Sequence, residues 1–82
     1  MKIEVLGTGC AKCKKLYELV QKVVSDTGAE AEITKVEKID EIMKYGIALT
    51  PGLVINGTVK SSGAIPKAAQ LTTWIEEATR EG

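Results

Sequence analysis

The chain contains two cysteines, Cys10 and Cys13, separated by Ala11 and Lys12. A pair with this spacing can cycle between dithiol and disulfide. One thiolate attacks a substrate disulfide, and the second resolves the mixed disulfide that forms. Closing so short a loop restricts the unfolded chain by only about 2 kcal/mol, so a disulfide here would be a weak structural crosslink. The spacing therefore points to redox chemistry rather than to a stabilising bridge.

The surroundings of the two cysteines suggest a role for each. Cys10 directly precedes a predicted helix, where unpaired N–H groups and the helix dipole favour negative charge. Lys12, Lys14 and Lys15 add positive charge within about one turn. Both effects lower the pKa of a cysteine thiol, and this predicts that Cys10 is the nucleophile. Cys13 lies one turn further along the predicted helix and is expected to be more buried, as suits a resolving thiol.

Composition excludes several classes of function. The 82 residues carry 11 basic and 11 acidic side chains, and this neutral balance argues against a nucleic-acid partner. The chain has no histidine, so hydrolysis by a serine–histidine or cysteine–histidine pair within it is excluded. We expect no metal site and no cofactor other than the redox-active cysteine pair.

Length and hydropathy predict one domain over residues 1–82. No stretch approaches the roughly 20 consecutive apolar residues of a membrane helix, and no apolar run near the start resembles a secretory signal. The expectation from these patterns is a cytoplasmic protein without a membrane partner.

The hydrophobic pattern predicts the element order β-α-β-α-β-β-α. Alternation predicts strands at 2–6 and 30–36, and an apolar run predicts another at 53–55. Asn56-Gly57 is a strong signal for a two-residue hairpin, with the returning strand at 58–61. Helical spacing predicts a first helix from Ala11 to about Gly28. It predicts a short second helix that ends at Gly46, and a last helix with Pro66 in its first turn. The inner faces are expected to carry Leu16, Leu19, Val20, Val23 and Val24; Ile39, Ile42 and Met43; and Leu71, Trp74, Ile75 and Ala78.

Two segments together resemble the thioredoxin/glutaredoxin superfamily. They are Gly7–Cys13 (Gly-Thr-Gly-Cys-Ala-Lys-Cys) after the first strand and Thr50–Leu53 (Thr-Pro-Gly-Leu) before the hairpin. The chain is most similar to small, glutaredoxin-sized redox-active disulfide proteins of archaea and anaerobic bacteria. The resemblance implies an α/β thioredoxin-like fold with a four-stranded mixed sheet and helices on both faces. It also implies a dithiol–disulfide oxidoreductase.

The resemblance also implies site residues and partners. Cys10 would attack, Cys13 would resolve, and Thr50-Pro51 would be a cis peptide beside the dithiol. The backbone of Thr50 would pair with a bound substrate segment like a short added strand. The same groove would be bordered by Gly9, Ala11, Lys12 and Gly63. The partners would be disulfide-containing target proteins and a thioredoxin-reductase-type electron donor, and the protein would be a monomer. A glutathione clamp is not matched, because Ser61-Ser62-Gly63 stands where glutaredoxins carry Gly-Gly followed by an acid.

Glu4 precedes Cys10 by six residues, which matches the position of the buried acid of thioredoxins. If it lies under the dithiol, desolvation favours its protonated form, and it is a possible proton acceptor for Cys13. The alternative is a solvated or ion-paired strand residue. Tyr17, Tyr45, Trp74 and Met43 are expected to be packing residues.

A metal carrier is the alternative function. Small copper chaperones also place Cys-x-x-Cys after a first strand, and two thiolates at this spacing suit Cu(I). Those proteins have the order βαββαβ and end on a strand, whereas this chain is predicted to end on a helix. They also lack a Thr-Pro before a hairpin.

Overall fold

The computed structural model describes residues 1–9, 11–47 and 49–81. Within these residues the chain forms four strands and three helices in the predicted order. The strands are β1 (Lys2–Leu6), β2 (Glu32–Val36), β3 (Gly52–Ile55) and β4 (Thr58–Ser62). The helices are α1 (Ala11–Thr27), α2 (Ile39–Met43) and α3 (Ala68–Glu81). The predicted bounds of β1 are the same, and those of β2, β3 and β4 differ by one or two residues at one end each.

The strands form one mixed sheet with the order β2-β1-β3-β4. β1 is parallel to β2, with Ile3 opposite Ile33, and antiparallel to β3, with Ile3 opposite Ile55. β3 and β4 follow each other directly in the chain and pair as an antiparallel hairpin. The carboxyl ends of β1 and β2 therefore lie at one end of the sheet, together with the start of β3. We call this end, with the loops and helix starts that adjoin it, the dithiol end.

The two faces of the sheet carry separate cores. Ile3 and Val5 of β1 pack in a large cluster with residues of α1 and α3, such as Leu16 and Ile75. Leu6 packs on the other face in a smaller cluster around Ile42 of α2. Successive side chains of a strand point to opposite faces, so β1 supplies both cores. The prediction that helices pack on both faces of the sheet is confirmed.

The first helix packs the side chains of its predicted inner face against the large core. Cys13, Leu16, Val20 and Val23 are buried along one side of α1, so Cys13 begins the buried face as predicted. Neither α1 nor any other described helix combines the length and the apolar character needed to cross a membrane.

The Asn56-Gly57 hairpin is also confirmed. Asn56 and Gly57 have positive φ angles of 49° and 82°, the left-handed conformation that a two-residue turn of this type requires. Asn56 also links the turn to β1, because its Oδ1 accepts a 2.9 Å hydrogen bond from the backbone N–H of Lys2.

Two predictions about the helices were wrong. Ile39 and Met43 were expected to face inward, but they are 64% and 67% exposed, and only Ile42 of α2 is buried. A helix of five residues makes little more than one turn, so only one side chain reaches the sheet. Pro66 lies before α3 rather than in its first turn, because the helix begins at Ala68.

Candidate active site

Gly7 and Cys13 are in direct contact at the dithiol end. Gly7 directly follows β1, and its N–H donates a 2.9 Å hydrogen bond to the Val36 carbonyl at the end of β2. A methyl group on Gly7 would overlap the Cys13 Sγ atom and would lie 3.1 Å from Cys13 Cβ. Only glycine leaves room for the sulfur here. The backbone after β1 therefore packs directly against the Cys13 thiol in the first turn of α1.

The Thr50-Pro51 segment lies beside the same point. The Thr50–Pro51 peptide bond is cis, as the family resemblance implied. Pro51 Cα would be 4.0 Å from a methyl group on Gly7, so Pro51 is a neighbour of the Gly7–Cys13 contact. The Pro51 carbonyl accepts a 2.9 Å hydrogen bond from Gly63 N–H, and this bond ties the end of β4 to the proline. Pro51 is buried, whereas Thr50 is exposed.

The other predicted site residues can be placed around this contact. Gly9, Ala11 and Lys12 are exposed, and Cys13 is buried. Cys10 lies outside the described residues. Ala11 begins α1, and Cys13 lies in the first turn of this helix.

A small pocket on the β2 side of Cys13 was not predicted. Cys13 lines it together with Val5 and three charged side chains, those of Lys14, Lys35 and Glu37. Val5 belongs to the face of β1 that packs against α1. The pocket therefore lies on the α1 face of the sheet, and Cys13 has charged neighbours on this side.

Glu4 lies on the opposite face of β1. Its Oε2 accepts a 2.6 Å hydrogen bond from the Tyr45 hydroxyl, and it lines a separate pocket with Val36, Lys44 and Tyr45. Because side chains alternate along a strand, Glu4 and Val5 point to different faces. The structure thus brings Glu4 to Tyr45, while Cys13 shares its pocket with Val5. A role for Glu4 as proton acceptor stays a prediction.

The hydrogen bond to Glu4 raises the pKa of Tyr45 above its ordinary value. Burial of the phenol and the negative charges of Glu4 and Glu41 act in the same direction. Tyr45 was expected to be a packing residue, and it also contacts the α2-side core. Its hydroxyl adds a polar link between β1 and the segment that leads to Pro51.

Sequence reasoning missed the roles of Gly7 and Tyr45. Gly7 was noted only as part of the segment that carries the family resemblance, because a contact with a side chain six residues later leaves no local pattern. The partner of Tyr45 is 41 residues away along the chain, and no spacing rule relates the two.

Comparison with known proteins agrees with this geometry. A family model described as a thioredoxin domain matches residues 1–76. The chain belongs to the thioredoxin family. Family members are thiol–disulfide oxidoreductases, and that general activity is assigned to this chain. The family resemblance, the thioredoxin-like fold class and the enzyme class expected from the sequence are thereby confirmed.

Two archaeal relatives support the same assignment. A protein named thioredoxin from Methanothermobacter thermautotrophicus is 34% identical over 71 residues, which cover 87% of this chain and 92% of the relative. A protein of the same name from Methanocaldococcus jannaschii is 38% identical over 69 residues, covering 84% of this chain and 79% of the relative. The similarity to these thioredoxins extends over most of each sequence.

The Gly7–Cys13 contact predicts a specific energetic coupling. Gly7→Ala should lower the free energy of unfolding by about 1–3 kcal/mol, because the added methyl group overlaps a buried sulfur. In a Cys13→Ala background the same change should cost less than half as much, because the sulfur is gone. Urea denaturation of the four proteins under reducing conditions measures both losses, with the exposed Thr8→Ala as control. Equal losses in the two backgrounds would contradict the contact.

The Tyr45–Glu4 bond predicts a pH-dependent contribution to stability. Tyr45→Phe should lower the free energy of unfolding at pH 7 by about 1 kcal/mol, since the bond is charge-assisted but only partly buried. The folded-state pKa of Tyr45 lies above the unfolded value, so this contribution is complete below about pH 10 and is lost as pH rises through the folded-state pKa.

Denaturation at pH 7 and at several pH values above 10 measures the difference between the wild-type protein and Tyr45→Phe. Tyr17→Phe is the matched control, because it removes a phenol hydroxyl but keeps the ring that lies 4.5 Å from the Lys35 ammonium. A Tyr45→Phe loss no larger than the Tyr17→Phe loss at pH 7 would show that the bond adds no stability.

Proposed function

We propose that the protein reduces disulfides of target proteins through Cys10 and Cys13. The Cys10 thiolate attacks one sulfur of the target disulfide and displaces the other as a thiolate, which takes a proton from water. The Cys13 thiolate then attacks Cys10 Sγ and displaces the second target thiolate. The target gains two electrons, and the protein is left with a Cys10–Cys13 disulfide.

The observation that best supports this proposal is the position of Cys13. It occupies the first turn of α1, is buried, and packs directly against Gly7, with Pro51 close by. A resolving thiol must remain close to its partner and away from competing reagents, and burial in the first turn meets both needs. Cys10 directly precedes this turn in the sequence and is proposed as the nucleophile.

We propose that the target segment binds across Thr50. Thr50 is exposed beside the cis peptide, so its backbone is open to an extended segment. Such a segment would pair with it as a short added strand. Gly9, Ala11 and Lys12 are proposed to border the groove on one side and Gly63 on the other. Gly63 is held close to Pro51 by its hydrogen bond to the proline carbonyl.

The remaining features of the proposed function follow from the family and the composition. The oxidised protein would be reduced by a protein donor of the thioredoxin-reductase type, which returns two electrons to the Cys10–Cys13 disulfide. It would act in the cytoplasm as a monomer, with no metal and no cofactor beyond the cysteine pair.

The Cu(I) carrier considered from the sequence is less well supported. The described elements have the order β-α-β-α-β-β-α, whereas the small copper chaperones that place Cys-x-x-Cys after a first strand have the order β-α-β-β-α-β. Stoichiometric Cu(I) binding in a preparation that fails to cycle its thiols would favour the carrier.

Redox titration and turnover together test the proposal. Thiol alkylation across a series of dithiothreitol ratios should reveal one reversible two-electron transition, and the reduced protein should cleave the disulfides of insulin. Cys10→Ser should abolish turnover, because the other cysteine of the chain, Cys13, is buried. The Cys13→Ser variant should attack one target disulfide and then stop as the mixed disulfide. Wild-type turnover that persists in Cys10→Ser would contradict the proposed roles.

The predicted role of Glu4 has its own test. If Glu4 accepts the Cys13 proton, Glu4→Gln should slow disulfide reduction most at low pH, where few thiols ionise unaided. The measurement is the pH profile of insulin reduction for wild type, Glu4→Gln and Tyr45→Phe. Tyr45→Phe removes the partner of Glu4 but keeps the carboxylate. An unchanged profile in Glu4→Gln would remove Glu4 from the mechanism.

A further inference from the structure

Basic side chains are concentrated at the dithiol end. All of the residues at this end that carry formal charge are exposed. The basic ones are Lys12, Lys14, Lys15, Lys35, Lys38 and Lys67, and the acidic ones are Glu37, Asp40 and Glu41. The chain as a whole is neutral, so this excess of positive charge is balanced by acidic residues elsewhere in the chain. The surface at the dithiol end therefore carries a net positive charge.

The lysines on α1 oppose the usual electrostatics of a helix. The first turn of a helix favours acidic residues, because it carries the positive end of the helix dipole. The first turn of α1 has no acidic residue and contains Lys12 and Lys14. α3 also begins at the dithiol end without an acid in its first turn, and Lys67 directly precedes it. These lysines do not stabilise the helices that carry them, which suggests that their charge serves an external partner.

Two of the lysines are close to the resolving cysteine. Lys14 and Lys35 line the same pocket as Cys13. Among the described residues that line this pocket, Glu37 is the acidic one. The Lys35 ammonium is 4.5 Å from the centroid of the Tyr17 ring, so the β2 lysine is held against α1. The positive charge is thus part of the surface that surrounds the thiol.

We propose that the dithiol end binds acidic polypeptide segments, so that targets with Asp or Glu beside their disulfide are preferred. This inference rests on the proposed function. A positive surface attracts an acidic segment over about a Debye length and orients it before the thiolate attacks. On the Pro51 side, the Leu49 side chain is 65% exposed and lies against Gly63, where it offers an apolar contact.

A second role for the same lysines makes a different prediction. If they only stabilise the Cys10 thiolate, they change the rate with every disulfide by the same factor. If they recognise acidic segments, they change the ratio of rates between acidic and basic substrates. The ratio therefore separates docking from activation of the nucleophile.

The test uses three synthetic peptides with one disulfide each and the same length. The residues that flank the cysteines are Asp, Ser or Lys. With dithiothreitol as recycling reductant, kcat/KM for the Asp peptide should exceed that for the Lys peptide by about tenfold at about 0.1 M salt. The ratio should approach one at about 1 M salt, where the Debye length is only about 3 Å.

Charge-reversal variants locate the effect. Lys12→Glu/Lys15→Glu should bring the Asp:Lys ratio to one or below, with a Tm no lower than that of wild type. The matched control is Lys2→Glu/Lys22→Glu, which changes net charge equally. Lys2 starts β1, about 13 Å from its dithiol end, and Lys22 lies about two turns beyond Lys15, so the control should keep the wild-type ratio.

The outcomes are distinguishable. Reduction of the Ser peptide with an Asp:Lys ratio near one at about 0.1 M salt would overturn the docking proposal and leave the oxidoreductase intact. An equal loss of the ratio in both double variants would also overturn it, because the preference would then follow net charge rather than this surface. Failure to reduce any of the three peptides would contradict the proposed function itself.

Discussion

The absence of a side chain at Gly7 allows the end of β1 to touch the sulfur of Cys13. A methyl group there would overlap Sγ, so the distance between the central strand and the first turn of α1 depends on this glycine. The same residue donates to Val36 on one side and lies close to Pro51 on the other. Three segments that are distant in sequence thus converge on one thiol, and the groove proposed for the substrate is formed where they meet.

The two faces of β1 make different contributions to this arrangement. On the α1 face, Val5 joins the large core and lines the pocket of Cys13. On the α2 face, Glu4 accepts the hydrogen bond of Tyr45 and links the central strand to the segment that leads to Pro51. The structure thus supports Glu4 most directly as an anchor for that segment. On the other face, Lys14 of α1 and Lys35 of β2 line the pocket of Cys13.

Local signals in the sequence were enough for the order of elements, the hairpin and the buried stripe of α1. Alternation, helical spacing and Asn56-Gly57 each act over a few residues, and the structure agrees with them. The inward orientation of Ile39 and Met43 was wrong, because periodicity does not show how much of a one-turn helix a sheet can cover. The Gly7–Cys13 contact and the Tyr45 bond depend on tertiary packing, and no local pattern encodes them.

The most direct test of the central claim is to trap the mixed disulfide. A peptide disulfide is mixed with reduced Cys13→Ser and, separately, with reduced Cys10→Ser, and the adducts are identified by mass spectrometry after digestion. The assigned roles predict a stable adduct on Cys10 in Cys13→Ser and little adduct on the buried Cys13 in Cys10→Ser. Adduct that forms mainly on Cys13 in Cys10→Ser, with none on Cys10 in Cys13→Ser, would contradict them.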